Sequence, residues 1–68
     1  MKIGLIGYGK GGRFFHAPLL ASLPGATFAG VVTRSPERRQ TLNKDYPNVP
    51  AFDSLAELVA AGVDAVVI

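Results

Sequence analysis

The sequence has no cysteine and only one histidine, His16, among its 68 residues. A chain without cysteine can form neither a disulfide nor a thiolate metal site, and one histidine alone cannot assemble a metal centre. We therefore predict no metal site. The lack of cysteine is also compatible with the cytoplasm, where we expect this protein to lie.

Long apolar runs and a strong net charge are missing as well. The uninterrupted apolar runs are a few residues long, whereas a helix that crosses a bilayer needs about 20. The apolar start of the chain breaks at Gly7 and meets a charge at Lys10, which is unlike a signal peptide. The net charge of +2 is too small to indicate nucleic-acid binding. We predict partners that are neither membranes nor nucleic acids.

The chain alternates short apolar runs with helical segments. Apolar runs bounded by glycine or polar residues predict strands at residues 2–7, 27–34 and 64–68, with a brief extended piece at 48–52. Segments with helical spacing or capping signals predict helices at residues 13–23, 37–46 and 55–61. This alternation predicts an α/β fold, a Rossmann-type doubly wound parallel sheet, present here as its N-terminal portion in the order β-α-β-α-β-α-β.

The helices carry further local signals. Pro18 predicts an irregular first turn in the first helix. The second helix is mostly polar and should lie on the surface. Ser54 and Glu57 have the spacing of a capping box at the start of the third helix. The apolar face expected for the first helix consists of Phe15, Leu19, Leu20 and Leu23.

The segment Gly7–Gly12 reads GYGKGG, a G-x-G-x-x-G pattern between a predicted strand and a predicted helix. In that context Gly7 allows a tight turn, Gly9 lets a pyrophosphate approach the backbone, and Gly12 lets helix and strand pack closely. The helix start also favours anionic phosphates. A turn without a ligand is the alternative, but its placement favours dinucleotide binding. Lys10 either neutralises phosphate or is an exposed loop lysine, and Tyr8 either lies beside the cofactor or covers the loop.

The end of the second predicted strand bears on which dinucleotide binds. NAD- and FAD-binding proteins place an acidic residue about 20 positions after the glycines to hold the ribose hydroxyls. Here that position is Thr33, and Arg34 follows it. A hydroxyl and a guanidinium suit a 2′-phosphate, so we predict NADP(H) as the cofactor and NAD(H) as the alternative. Arg38 either joins this contact or belongs with Arg39 to a solvated helix face, the interpretation we prefer for Arg39.

Three residues near the turn are assigned no chemistry. His16 has no carboxylate or nucleophile partner in view, so we predict no catalytic role for it. We expect Phe14 and Phe15 to serve packing, one against the sheet and the other near the cofactor cleft.

Four stretches, IGLIGYGKGGRFFHAPLL, VVTRSPER, YPNVPAFDSLAEL and VDAVVI, resemble the start of the Gfo/Idh/MocA family of oxidoreductases. The resemblance covers nearly the whole chain. It implies oxidation or reduction of a sugar, inositol or related polyol with a nicotinamide cofactor, in a protein that forms homo-oligomers. The positions that match the family's cofactor site are Gly7, Gly9, Lys10, Gly11, Gly12, Thr33, Arg34 and Arg38.

The resemblance also places chemistry outside the chain. The family's catalytic lysine, in an E-K-P motif, would lie after Ile68, so the sequence contains no catalytic residue. Because domains rarely end on an inner strand such as DAVVI, we expect residues 1–68 to be the N-terminal part of a dinucleotide-binding domain, with a C-terminal substrate domain beyond it. The alternative function is a dinucleotide-sensing regulatory module without catalysis.

Overall fold

The computed structural model describes residues 1–9 and 11–68, and it contains the predicted alternation of strands and helices. The strands are β1 (Lys2–Ile6), β2 (Thr27–Val32), β3 (Ala51–Phe52) and β4 (Ala65–Val67). The helices are α1 (Ala17–Ser22), α2 (Pro36–Asp45) and α3 (Leu55–Ala60). A π-helical turn at Gly12–His16 leads directly into α1.

The four strands form one parallel sheet in the order β3-β2-β1-β4, which confirms the predicted α/β Rossmann-type fold. Within the described residues β4 pairs with β1 and stands at one end of this strand order. Ile6 pairs with Val32, and the carboxyl ends of β1 and β2 therefore lie side by side. This register brings the glycine turn next to the β2–α2 junction.

The main core lies between the sheet and the helices α1 and α2. It contains Ile3, Leu5, Tyr8, Ala17, Leu20, Val31 and Leu42. Leu42 is the buried residue of α2, whose other positions are polar or exposed, as expected for a surface helix. The glycine turn is therefore built directly on the core.

The π-helical turn is the irregular first turn predicted from Pro18. The Ala17 N–H donates to the carbonyl of Gly12, five residues earlier. In a regular α-helix the Pro18 ring would clash with the carbonyl of Phe14, and the wider turn relieves that clash. The irregularity is thus a consequence of one proline.

The apolar face predicted for this helix is largely wrong. Leu20 is buried, but Leu19, Leu23 and Phe15 are exposed, and the second buried position is Ala17. A small residue at this position lets the helix approach the sheet closely, so the buried stripe runs through Ala17 and Leu20. Counting large apolar residues could not find a stripe that depends on an alanine.

On the opposite face of the sheet, α3 packs through Leu58. This side chain is fully buried against Gly4 and Gly30, and a Cβ on either glycine would lie within 3.0 Å of it. At the start of α3 the Ser54 hydroxyl accepts the N–H of Glu57, as the capping box predicts. The Glu57 carboxylate accepts the Asp53 N–H, one residue before the expected donor.

Candidate functional site

Gly7 and Gly12 have the geometry that the glycine pattern requires of them. Gly7 has a φ of 85°, a conformation that strains residues with a side chain, and its N–H donates to the Val32 carbonyl over 2.8 Å. A Cβ on Gly12 would lie 2.8 Å from the Gly7 carbonyl oxygen, a backbone atom that cannot move aside cheaply. Gly7 therefore makes the turn possible, and Gly12 lets the following helix pack against it.

A cleft of about 290 Å³ lies between the turn and α2. Its lining residues are Tyr8, Gly9, Arg13, Phe14, Glu37, Arg38 and Thr41. The structure thus brings three predicted site residues, Tyr8, Gly9 and Arg38, to one cleft. Gly7, Gly11 and Gly12 form the turn without lining the cleft. Lys10, another predicted contact, lies outside the described residues.

Arg38 lies beside Gly9 of the glycine turn and lines the same cleft. Its guanidinium nitrogens and carbon lie 3.5–3.8 Å from the place where a Cβ on Gly9 would be. The N–H of Arg38 donates to the Ser35 hydroxyl, which caps α2 and fixes the start of the helix. A guanidinium next to the backbone of a phosphate-type turn can bind an anion with two parallel hydrogen bonds.

Thr33 and Arg34 lie near the cleft but do not line it. Thr33 is buried, its N–H donates to the Phe52 carbonyl, and its hydroxyl accepts the N–H of Ser35. The Thr33 side chain therefore shapes the β2–α2 junction. Arg34 is exposed to solvent at the same junction.

Arg39 lies outside the cleft with a side chain that is 36% exposed, so its interpretation as part of a solvated face holds only in part. Its Nε donates to the Thr33 carbonyl over 3.0 Å, and its guanidinium pairs with Asp53. Arg39 therefore connects the end of β2 to the loop before α3. A residue pair separated by 14 positions and by a strand is not visible in a helical pattern.

Sequence reasoning missed a polar network behind the cleft. The Tyr8 hydroxyl donates to Oδ2 of Asp45 over 2.7 Å, and Nε of Arg13 donates to the same oxygen over 2.9 Å. Asp45 lies 37 residues after Tyr8 and 32 after Arg13. The one available signal was an acidic residue at the end of a helix, where the helix dipole disfavours it.

Burial and hydrogen bonding shift the pKa values of Tyr8 and Asp45 in opposite directions. Burial, and after it the hydrogen bond to Asp45, raises the pKa of Tyr8 well above its ordinary value of 10.0. The hydrogen bonds from Arg13 and then from Tyr8 lower the pKa of Asp45 below its ordinary value of 3.8. At neutral pH the phenol is a donor and the carboxylate is charged, so the network is intact.

Of Phe14 and Phe15, one lies near the cofactor cleft as expected. Phe14 lines the cleft, and the Arg13 guanidinium carbon lies 5.2 Å from the centre of its ring, within the range of a cation–π contact. Phe15 is 73% exposed, so its expected packing against the sheet is wrong. Glu37 also lines the cleft.

Residues 1–9 and 11–68 contain no cluster of three potential metal ligands. Over the same residues, every helix is too short or too polar to cross a membrane.

A parallel sheet, a glycine turn after its first strand and a cleft over that turn define a nucleotide-binding domain of the Rossmann class. The chain belongs to the Gfo/Idh/MocA family, described as an oxidoreductase family with an NAD-binding Rossmann fold, whose model matches residues 1–68.

Curated relatives are similar over most of the chain. It is 43% identical to the uncharacterized oxidoreductase YdgJ of Escherichia coli over 72% of its residues. It is 31% identical to the NADP(+)-dependent scyllo-inositol 2-dehydrogenase IolW of Bacillus subtilis over 85%, and 35% identical to galactose 1-dehydrogenase of Pseudomonas fluorescens over 97%. The chain spans 13%, 15% and 20% of the lengths of these three proteins, respectively.

Solved structures agree with the fold. A candidate oxidoreductase from Klebsiella pneumoniae is 41% identical, with a TM-score of 0.71. The match covers 79% of this chain and 15% of the Klebsiella chain. The Bacillus subtilis protein yvaA is 27% identical, with a TM-score of 0.77 over the whole of this chain and 20% of its own.

Proposed function

We propose that this chain is the cofactor-binding part of a nicotinamide-dependent oxidoreductase that acts on a sugar, an inositol or a related polyol. The family is one of NAD-binding oxidoreductases, and two relatives are named for the oxidation of inositol and galactose. The nicotinamide, when bound, accepts or donates a hydride. The role of this chain is to hold and orient that cofactor.

The residues present fit a dinucleotide. Gly12 leaves the space beside Gly7 that a Cβ would fill, so the helix start can approach the turn and present its N–H groups to a pyrophosphate. The cleft continues from this turn to the first half of α2. In our proposal the pyrophosphate binds at the turn, and the adenosine ribose lies toward Arg38.

We further propose that NADP(H) is preferred over NAD(H). The observation that carries this proposal is the position of the Arg38 guanidinium beside Gly9, within the cleft. Thr33 occupies the place of the usual acidic residue and cannot repel a 2′-phosphate. Glu37 brings one carboxylate to the cleft, and Arg13 and Arg38 bring two positive charges. IolW, a relative, is named as NADP(+)-dependent.

The test is to replace Arg38 with glutamine in the complete protein and to titrate the variant with NADPH and with NADH. We expect NADPH binding to weaken about tenfold, since a charge-assisted hydrogen bond is lost, while NADH binding changes little. The matched control is Lys2→Gln, which removes one exposed positive charge at the opposite end of β1. Arg34→Gln, measured in parallel, shows whether the exposed arginine contributes as well.

Two results would count against the proposal. Equal weakening of NADPH and NADH in the Arg38 variant would remove the basis for the NADP(H) preference. A complete protein that binds neither dinucleotide would remove the proposed function itself.

We assign substrate binding and the catalytic groups to a C-terminal domain outside this chain. The chain spans 20% or less of its three curated relatives, which leaves ample length for such a domain. We also propose, from the family resemblance, that the complete protein is a cytoplasmic homo-oligomer. Turnover of NADP with a panel of polyols, and the mass of the particle in solution, are the measurements that test these points.

A further inference from the structure

The Asp45 carboxylate accepts hydrogen bonds from two residues, one in the glycine turn and one directly after it. Tyr8 lies inside the turn, and Arg13 follows its last glycine. Both donate to Oδ2 of Asp45, over 2.7 Å and 2.9 Å, and Nη2 of Arg13 lies 3.5 Å from Oδ1. A single side chain from another helix therefore holds the residues on both sides of Gly9.

The same helix also carries Arg38, which lines the cleft. Asp45 ends α2, and Arg38 lies seven residues earlier, about 10 Å along the axis of an α-helix. The turn is thus attached to one end of α2, while the other half of α2 faces it across the cleft. Fixing Asp45 to the turn fixes the distance between the turn and Arg38.

Asp45 is a poor residue for its local position. A negative charge in the last turn of a helix opposes the helix dipole, which stabilises cations there. The carboxylate is stabilised instead by Arg13 and Tyr8, which lie far away in the sequence. Residues that are unfavourable for their local secondary structure, and that are stabilised by partners distant in sequence, are expected at functional sites.

The network also directs Arg13. Nε and Nη2 of its guanidinium face Asp45, and the Nη1 group is not used by that carboxylate. Arg13 is partly exposed and lines the cleft. Asp45 therefore holds a positive charge at the edge of the cleft in one orientation.

We propose that Asp45 is a positioning residue for dinucleotide binding, which sets the glycine turn and Arg13 in the arrangement that receives the pyrophosphate. This inference rests on the proposed function. It adds Asp45, to which the sequence pattern assigns no role, to the residues that serve cofactor binding. Asp45 itself does not line the cleft, so it acts through Tyr8 and Arg13 and not by contact with the cofactor.

The test is the Asp45→Asn variant of the complete protein, titrated with NADPH and with adenosine 2′-monophosphate. NADPH carries the pyrophosphate that the turn receives, whereas adenosine 2′-monophosphate has no 5′-phosphate and reports only on the adenosine end. We expect NADPH binding to weaken about tenfold, as for one lost charge-assisted hydrogen bond, with little change for adenosine 2′-monophosphate. A general loss of structure would weaken both ligands.

Two further variants complete the design. Tyr8→Phe keeps the buried ring and removes only the hydroxyl, so it is expected to fold and to weaken NADPH binding in the same selective way. Asp64→Asn is the matched control, since that carboxylate accepts the Lys2 N–H at the opposite end of β1. It should leave both ligands unaffected.

The outcomes separate this inference from the proposed function. If the wild-type protein binds NADPH and both Asp45→Asn and Tyr8→Phe bind it equally well, the positioning role is wrong and the proposed function stands. Equal weakening of both ligands would also overturn the positioning role, because it would indicate a purely structural contribution. If the wild-type protein binds no dinucleotide, the proposed function fails first.

Discussion

Asp45 and Arg39 each connect parts of the chain that are distant in sequence through one polar side chain. Asp45 holds Tyr8 and Arg13 at the glycine turn, and Arg39 joins the Thr33 carbonyl after β2 to Asp53 in the loop before α3. Both lie on α2, whose sequence indicates only a polar surface helix. Polar residues of a surface helix therefore hold the glycine turn and the loop before α3 in place.

At the residue scale, we predict that the loss of the Tyr8 proton lowers the free energy of unfolding at high pH. The folded-state pKa of Tyr8 is raised above its ordinary value of 10.0, so the folded protein keeps this proton after the unfolded chain begins to lose it. The contribution is fully present below pH 10.0 and is lost as the pH rises toward the folded-state value. The slope attributable to this one proton approaches about 1.4 kcal/mol per pH unit.

The measurement is urea unfolding of the wild-type protein and of Tyr8→Phe from about pH 9 to about pH 11. Charged or titratable neighbours of Tyr8, namely Arg13, Asp45 and Tyr46, are present in both proteins, so the difference between the two curves isolates Tyr8. We expect the difference in unfolding free energy to shrink as the pH rises. Parallel pH curves would show that Tyr8 is not buried and bonded as described.

At the element scale, α3 depends on two glycines of the sheet. Gly4 and Gly30 lie where a Cβ would meet Leu58, so α3 sits closer to β1 and β2 than ordinary residues would permit. Leu58 is fully buried, although α3 has only six residues and little stability of its own. The position of α3 is therefore set by one leucine in a glycine-lined recess.

We predict that Leu58→Ala lowers the free energy of unfolding by about 2–5 kcal/mol, because the sheet cannot close the space left behind. The matched control is Leu55→Ala on the same helix, where the side chain is 46% exposed, with an expected cost below about 0.5 kcal/mol. Chemical denaturation of both variants of the complete protein measures the difference. Equal costs for the two substitutions would contradict the packing of α3 described here.

At the scale of the whole molecule, periodicity and glycine placement predict the fold well. The order of strands and helices, the parallel sheet and the polar α2 all follow from runs of apolar residues and from stop signals. The stripe through Ala17 could not be predicted, because alanine is nearly neutral in such patterns. The pairs Tyr8–Asp45 and Arg39–Asp53 could not be predicted either, because they depend on how separate elements meet.

The sequence also predicted only part of the candidate site, because some of its features depend on how separate elements meet. Gly7, Gly9 and Gly12 act through the backbone, and their spacing between a strand and a helix is visible in the sequence. The sequence left open whether Arg38 contacts the cofactor or belongs to a solvated helix face, and the structure brings its guanidinium beside Gly9. Thr33 and Arg34 lie at the expected junction, but their side chains lie outside the lining of the cleft. Side-chain direction at a strand–helix junction is a property of the folded chain.

The central claim is that the glycine turn of this protein binds a dinucleotide, and the most direct test compares two glycines of that turn. Gly12→Ala places a Cβ 2.8 Å from the Gly7 carbonyl oxygen. Gly11 contributes only backbone to the turn, and its φ of −66° is one that alanine adopts, with nothing within 4 Å of the added Cβ. NADPH and NADH titrations of the complete protein and of each variant are the measurement. We predict that the wild-type protein and Gly11→Ala bind with similar affinity and that Gly12→Ala weakens binding by more than about tenfold. Equal binding by the two variants, or no binding by the wild-type protein, would contradict the claim.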